Sequence, residues 1–313
     1  MGPGSAAGDA VVTRRYRITH RTDYRYSDVV TNSYGRGHLT PRDTDRQRRL
    51  AFSLDIEPGP ADRSVSRDAY GNLSSYFHIT ERHHTLSVQG TSVVDVDPPA
   101  PEVYAAGAAV RPWEAARPAG HDGALATEFT LDLNPPEITD AVRRYAAPSF
   151  PPGRPLIDVL SDLNARIFAD FIYRSGSTTV STRVDEVLAA GTGVCQDFAR
   201  LAIACLRANG LAASYVSGYL ATDPPPGKER MFGADATHAW AAVWTPEGRW
   251  LGLDPTNDQL VDERYITVGW GRDYADVPPL RGIIYTESEY SVIDVSVDVS
   301  PVDPQEPIGS APR

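Results

Sequence analysis

Three side chains in the second half of the chain could together activate a nucleophile: Cys195, His238 and Asp254. A thiol is a poor nucleophile until it is ionised, and an imidazole within hydrogen-bond reach can accept its proton and later return it to a leaving group. A carboxylate on the far ring nitrogen fixes the tautomer of the imidazole and stabilises the imidazolium. These three residue types together predict acyl transfer through a thioester.

Each of these residues taken alone also has a structural interpretation. A free cysteine is often a small buried residue, and a lone histidine on a strand is more often structural than catalytic. Asp254 begins an Asp-Pro-Thr-Asn segment, so it could simply cap a turn. The catalytic hypothesis therefore depends on whether the surrounding elements bring the three side chains together.

The candidate nucleophile stands where a helix is expected to begin. Gly191 and Gly193 form a turn before Cys195. The apolar residues after the cysteine have helical spacing: Phe198, Leu201, Ala202 and Cys205. The first turn of a helix has unpaired backbone N–H groups and the positive end of the dipole, both of which favour a thiolate. The Cys195 N–H is also a candidate oxyanion donor.

The second cysteine, Cys205, is predicted to lie on the same helix as Cys195. The two residues would be about 15 Å apart at 1.5 Å per residue, whereas a disulfide needs Cα atoms within roughly 7 Å of each other. No disulfide is therefore expected, which suits a reducing compartment. Cys205 is interpreted as a buried structural residue.

The candidate base and its carboxylate partner are predicted to lie on paired strands. Strands over 237–244 and 249–254 flank a Pro-Glu-Gly segment, which suits a three-residue hairpin loop. Such a loop pairs residues whose numbers sum to 494, so Trp240 would face Asp254 and His238 would lie diagonally, on the same face of the sheet. A loop one residue longer or shorter would put the two side chains on opposite faces.

Composition and charge restrict the class of protein. With 41% hydrophobic and 23% charged residues the chain has the composition of an ordinary globular protein, and 313 residues suggest about two domains. A formal net charge of −11 argues against a nucleic-acid partner. No apolar run is long enough to span a membrane, and no metal-ligand spacing is evident. We expect a cytoplasmic protein with no metal, no cofactor and no membrane partner.

Changes in periodicity predict the domain organisation. The first half alternates in the manner of short strands, whereas the second half has helical stripes, notably from Leu156 onwards. The expected divisions are a cloning scar and disorder over 1–10, an N-terminal β domain over 11–100, a linker and short helix over 101–150, a catalytic core over 151–285, a closing strand over 286–300 and a disordered tail over 301–313.

Four sequence blocks resemble the core of the transglutaminase-like superfamily. They are Gly-Val-Cys-Gln-Asp-Phe-Ala (193–199), Val-Ser-Gly-Tyr-Leu (216–220), Asp-Ala-Thr-His-Ala-Trp (235–240) and Leu-Asp-Pro-Thr-Asn (253–257). Segments 16–26, 39–42 and 68–72 resemble the β module that often precedes this core in bacterial members, and segment 271–279 resembles the stretch after the core in the same subgroup. The resemblance covers most of residues 15–300.

The resemblance implies an α+β fold, with a papain-like, transglutaminase-like cysteine-protease core preceded by a β-sandwich-like N-terminal domain. It assigns Cys195 as nucleophile, His238 as base and Asp254 as orienting acid. It also suggests substrate-binding or oxyanion roles for three nearby residues: Tyr173, Gln196 and Trp240. The calcium dependence of the animal enzymes is not expected here, because no acidic loop has calcium-ligand spacing.

The acceptor of the acyl group decides the reaction. Water gives a protease or amidase acting on a peptide or protein, which is the first hypothesis because water is in excess unless a site excludes it. A lysine amine gives a transglutaminase, and a degenerate member of the fold would be a non-catalytic binding or scaffold protein. The physiological substrate and the oligomeric state are left open by the sequence.

Overall fold

A computed structural model describes residues 13–100, 102–121, 123–222, 237–245 and 247–303. The strands are β1 (Arg14–Gly37), β2 (Gln47–Glu57), β3 (Asp62–Arg67), β4 (Leu73–Ile79), β5 (His83–Val96), β6 (Ile172–Tyr173), β7 (Thr192–Gly193), β8 (Ala213–Leu220), β9 (Thr237–Trp244), β10 (Trp250–Asp254), β11 (Gln259–Leu260), β12 (Tyr265–Gly271), β13 (Leu280–Thr286) and β14 (Ser291–Val302). The α-helices are α1 (Glu102–Ala105), α2 (Ala124–Thr127), α3 (Asp140–Ala146), α4 (Leu156–Asp170), α5 (Val184–Ala190) and α6 (Cys195–Ala208).

The N-terminal domain is built around the 24-residue strand β1. Seven strands form one sheet in the order β2-β5-β1-β4-β3, and β13 and β14 also pair with β1. The register of β1 shifts between Arg25 and Val30. The part of β1 before this shift pairs with β5 and β14, and the part after it pairs with β4 and β13. The sandwich-like domain expected from the sequence is therefore one continuous sheet in the described residues, because β1 is long enough to belong to both of its halves.

The C-terminal strands return to this N-terminal sheet. The closing strand expected over 286–300 corresponds to β14, which pairs with β1 from Tyr26 to Arg15. Strand β13 also pairs with β1, although the sequence placed its residues in the catalytic core. Alternating apolar residues identified a strand, but they could not identify a partner more than 240 residues away.

The core domain has a central helix packed on a second sheet. This sheet has the order β11-β10-β9-β8-β12, so β12 is one of its edges. Helix α6 packs against β9 and α4, and ten of its 14 residues are buried. The predicted helices from Leu156 and from Cys195 are confirmed, as is the strand over 237–244.

The segment interpreted as a linker contains several short helical turns, including α1 and α2. Its aromatic side chains Trp113 and Phe129 are 5% and 6% exposed. Trp113 joins the apolar core of the second domain, and the Phe129 ring packs against Trp250. Scattered aromatic residues without periodicity gave no signal for this packing.

The two domains share an apolar interface. Tyr16 and Ile18 of β1 are buried in one cluster with Tyr219 of β8 and Ile266 of β12. The buried His20 ring contacts Tyr219 across the same interface, with Nδ1 3.0 Å from the Tyr219 hydroxyl. Separately, no helix among the described residues is long and apolar enough to cross a membrane.

Candidate active site

The nucleophile candidate is positioned by a tight turn between α5 and α6. Gly191 ends α5 with a φ of 63°, in the left-handed region where glycine carries no steric cost. A Cβ on Gly193 would lie 3.0 Å from the Asp197 Cβ, so this glycine is needed for close packing. Helix α6 then begins at Cys195, whose side chain remains partly exposed.

The first turn of α6 is capped by the buried carboxylate of Asp197. Its Oδ2 accepts hydrogen bonds from the Val194 N–H at 2.9 Å and from the Thr178 hydroxyl at 2.6 Å. Asp197 is 1% exposed, so its bonds are shielded from water. This cap fixes the chain immediately before and after the thiol, because it joins the residue that precedes α6 to the third residue of the helix.

The hairpin brings the other two predicted residues together. Strands β9 and β10 pair with the predicted register, for example Trp244 with Trp250 and Ala241 with Leu253. The His238 Nε2 donates to Asp254 Oδ2 at 2.7 Å. The register prediction is therefore confirmed, and it places the imidazole and the carboxylate on one face of the sheet.

Asp254 is fully buried and accepts four hydrogen bonds. Besides His238, the Tyr265 hydroxyl (2.8 Å) and the Asn257 side-chain amide (2.7 Å) donate to Oδ2, and the Thr256 N–H donates to Oδ1 at 2.9 Å. Burial would raise the pKa of this carboxyl, but the bonds from His238, Asn257 and Tyr265 outweigh it and hold the pKa below its ordinary value. The turn-capping role considered from the sequence is also present, through the Thr256 N–H.

His238 has a strongly raised pKa. Burial alone would lower it, but hydrogen bonds with Asp254 and Cys195, and the negative charge of both groups, raise the pKa to about 10. Because Nε2 is bonded to Asp254, Nδ1 is the nitrogen available to the thiol. A raised pKa favours the imidazolium form of His238, whose ring is hydrogen-bonded to the Cys195 side chain.

The structure also describes the other three predicted site residues. Tyr173 pairs in parallel with Gly193 and is 55% exposed, and its pKa is raised by partial burial and by the charge of Cys195. Gln196 is the second residue of α6 and is half-buried. Trp240 is 2% exposed, and its ring centroid lies 6.1 Å from that of His238. Their roles in substrate or oxyanion binding stay predictions.

Cys205 is fully buried, and both cysteines are free. Burial raises the pKa of the Cys205 thiol to about 12, so this side chain remains protonated at neutral pH. The buried position predicted for Cys205 is confirmed. The same helix thus carries one thiol beside an imidazolium and one in an apolar core.

Sequence reasoning did not identify Tyr265 or Asn257 as partners of the carboxylate. Asn257 was visible in the Leu-Asp-Pro-Thr-Asn block, where it was interpreted only as part of a turn. Tyr265 lies on a different strand, β12, and no local pattern connects it to Asp254. Within the described part of the chain, no cluster of three or more His, Cys, Asp or Glu side chains could hold a metal ion.

The chain belongs to the transglutaminase-like superfamily. Residues 147–255 match the model described as the transglutaminase-like superfamily. Residues 16–95 match the model described as the bacterial transglutaminase-like N-terminal region. The predicted family and fold class, a transglutaminase-like core after a strand-rich N-terminal domain, are therefore confirmed.

Three relatives illustrate the range of similarity. The chain is 75% identical over 295 residues to the uncharacterized protein Rv2569c of Mycobacterium tuberculosis, covering 93% of this chain and 94% of that protein. A crystal structure of a proposed cysteine protease from Cytophaga hutchinsonii has the same fold, with a TM-score of 0.71 and 19% identity over 93% of this chain and 92% of that one. A 74-residue segment is 36% identical to a protein-glutamine gamma-glutamyltransferase of Pseudomonas aeruginosa, covering 23% of this chain and 11% of that protein.

Proposed function

We propose that this protein is a cysteine-dependent hydrolase of peptide or carboxamide bonds, with Cys195, His238 and Asp254 as its catalytic residues. The observation that carries the proposal is the buried 2.7 Å bond between His238 and Asp254. It lies on a hairpin that presents the other ring nitrogen to a thiol at the start of α6. The raised pKa of His238 also supports the proposal, because an imidazolium can give its proton to a leaving amine.

The proposed reaction has two halves. The Cys195 thiolate attacks the carbonyl carbon of the substrate, and the backbone N–H at the helix start stabilises the oxyanion that forms. The His238 imidazolium then gives its proton to the leaving amine, and the C–N bond breaks to leave a thioester. In the second half, neutral His238 takes a proton from water, the resulting hydroxide attacks the thioester, and the thiolate is released with the carboxylic acid. Asp254 stays ionised throughout.

Water is the proposed acceptor because it is abundant at a partly exposed thiol. Cys195 is partly exposed in the described part of the chain, and amine transfer needs a site that binds the amine and excludes water. We expect the substrate to be a peptide or protein. A cytoplasmic location of the protein, and the lack of a nucleic-acid or membrane partner, remain part of this proposal.

Amine transfer is the second candidate function. The segment shared with the Pseudomonas aeruginosa protein-glutamine gamma-glutamyltransferase favours it, since the same thioester would serve both reactions. If a lysine amine attacks the thioester instead of water, the product is an isopeptide cross-link. The two candidates therefore differ only in the second half of the reaction.

The acceptor can be tested with casein as glutamine donor and dansylcadaverine as fluorescent amine. Hydrolysis predicts peptide cleavage or conversion of glutamine to glutamate by mass spectrometry, with little stable fluorescence in the protein band. The activity should disappear in Cys195→Ala and persist in Cys205→Ala, a matched control on the same helix. Stable labelling that depends on Cys195 would instead establish amine transfer.

A further inference from the structure

Strand β12, which carries Tyr265, is an edge of the core sheet, and the N-terminal domain covers this edge. Among the described strands, β12 pairs only with β8, and its register shifts between Thr267 and Gly269. A bulge at a sheet edge leaves backbone N–H and C=O groups without a strand partner. In this protein, side chains of the N-terminal domain provide those partners.

Gln47 pairs with Thr267 as a neighbouring strand would. The Thr267 N–H donates to Gln47 Oε1 at 2.8 Å, and Gln47 Nε2 donates to the Thr267 carbonyl at 2.7 Å. The same Nε2 also donates to the Arg42 carbonyl at 2.7 Å, which holds the amide in place. Gln47 is 4% exposed. Its loss would leave the Thr267 N–H without this acceptor, whereas the Thr267 carbonyl would keep the bond from the Arg42 N–H at 3.2 Å.

Asn72 repeats this arrangement further along β12. The Trp270 N–H donates to Asn72 Oδ1 at 3.0 Å, and Asn72 Nδ2 donates to the Trp270 carbonyl at 2.8 Å. A Cβ on Gly269 would lie 2.8 Å from Asn72 Oδ1, so the glycine allows the close approach. The Arg42 guanidinium stacks on the Trp270 ring at 3.3 Å from its centroid. Two amides and one guanidinium thus fix the edge strand.

The opposite side of β12 reaches the candidate active site. Ile266 packs into the interdomain cluster, whereas the neighbouring Tyr265 packs against Trp240 and donates its hydroxyl to Asp254. Successive residues of a strand point to opposite faces. The position of β12 relative to the rest of the core sheet therefore sets where the Tyr265 hydroxyl meets the carboxylate.

We propose that the N-terminal domain is a positioning element of the catalytic site, which holds β12 through Gln47 and Asn72 so that Tyr265 orients Asp254 toward His238. This inference rests on the proposed function, because it concerns the same triad. It gives the N-terminal domain a role in the chemistry, in addition to packing on the core. Tyr265 and Gln47 are positioning residues and act only through Asp254.

The test compares Gln47→Leu, Tyr265→Phe and the double variant in the full chain. The first readout is the rate at which iodoacetamide alkylates Cys195 between pH 5 and 9, measured by mass spectrometry. We expect each single variant to react about 10-fold more slowly at neutral pH, since a hydrogen bond to a charged group is lost or displaced. The double variant should react no more slowly than Tyr265→Phe, because both changes act through one contact.

The second readout is the NMR titration of the His238 ring in a Cys195→Ser background. A less firmly held Asp254 stabilises the imidazolium less, so the pKa of His238 should fall in both single variants. Ser33→Ala is the matched control, since it removes a buried hydrogen bond to His83 in the N-terminal sheet away from β12. Gln47→Glu, which keeps the acceptor for the Thr267 N–H, replaces Gln47→Leu if the latter does not fold.

Two results would overturn the inference: an unchanged His238 titration in the Gln47 variant, or effects of Gln47 and Tyr265 that simply add. An equal effect in Ser33→Ala would also count against it, because it would reveal general loosening of the domain. A failure of the proposed function would give a different experimental result from a failure of this inference. Cys195 in the unaltered protein would then be alkylated no faster than an ordinary thiol, while the titration would still report on the positioning of His238.

Discussion

The buried histidine at the interdomain contact predicts that the protein loses stability in weak acid. His20 is 2% exposed, and its ring nitrogens lie near the hydroxyls of Tyr219 (3.0 Å) and Thr22 (3.4 Å). Burial lowers the pKa of His20 from 6.5 to about 4. The histidine is therefore neutral in the folded protein at pH 5, where the same residue in the unfolded chain carries a proton.

The size of the effect follows from the two pKa values. A folded pKa below the unfolded one means that the unfolded state binds more protons, so the free energy of unfolding falls as the pH is lowered. The loss begins near pH 6.5, reaches about 2 kcal/mol at pH 5 and levels off at about 3 kcal/mol below pH 4. For a domain of ordinary stability this is a large fraction of the total.

Urea unfolding at several pH values between 7 and 3.5 measures this loss. His20→Gln is the comparison, because glutamine can still bond to the Tyr219 hydroxyl but does not titrate. Both proteins share all carboxylates, so the difference between their stability curves isolates His20. The reasoning is refuted if the two curves stay parallel from pH 7 to pH 4.

The remaining predictions concern the triad and its helix. Asp254→Asn should slow iodoacetamide labelling of Cys195 at pH 7 by about 100-fold or more, since a neutral amide cannot stabilise the imidazolium; an unchanged rate would remove Asp254 from the triad. Gly193→Ala should lower the free energy of unfolding in urea by about 1–3 kcal/mol, because its Cβ would lie 3.0 Å from Asp197, and a neutral effect would show that the turn relaxes freely. Cys205→Ala should cost about 1 kcal/mol of stability in the same assay without changing the Cys195 labelling rate, so slower labelling would contradict its purely structural role.

The hairpin that carries His238 and Asp254 was predictable because its geometry is local. The length of the Pro-Glu-Gly loop determines the pairing of β9 with β10, and this pairing determines that His238 and Asp254 share a face. The start of α6 at Cys195 was equally accessible, from two glycines followed by helical apolar spacing. Both inferences use residues within about 20 positions of each other.

Contacts between distant segments were not predictable from the same patterns. Alternation identifies a strand, but it does not say that β13 and β14 return to β1, or that the sheet is continuous. The aromatic residues of the segment after residue 100 gave no periodic signal, although Trp113 and Phe129 are buried. The partner of a strand depends on the packing of the whole chain, and a short window of sequence carries no information about that packing.

The surroundings of Asp254 show how local and distant signals combine in one site. Of the three donors to its Oδ2, only His238 was predicted, from the hairpin register. Asn257 lies in the adjacent turn, and Tyr265 lies on an edge strand. That strand is held by Gln47, more than 200 residues earlier in the chain. A buried carboxylate beside an imidazolium needs its remaining lone pairs satisfied, since an unpaired buried acceptor is costly. The candidate catalytic residues can therefore be found by motif, but the contacts that surround the Asp254 carboxylate also depend on residues that are distant in the sequence.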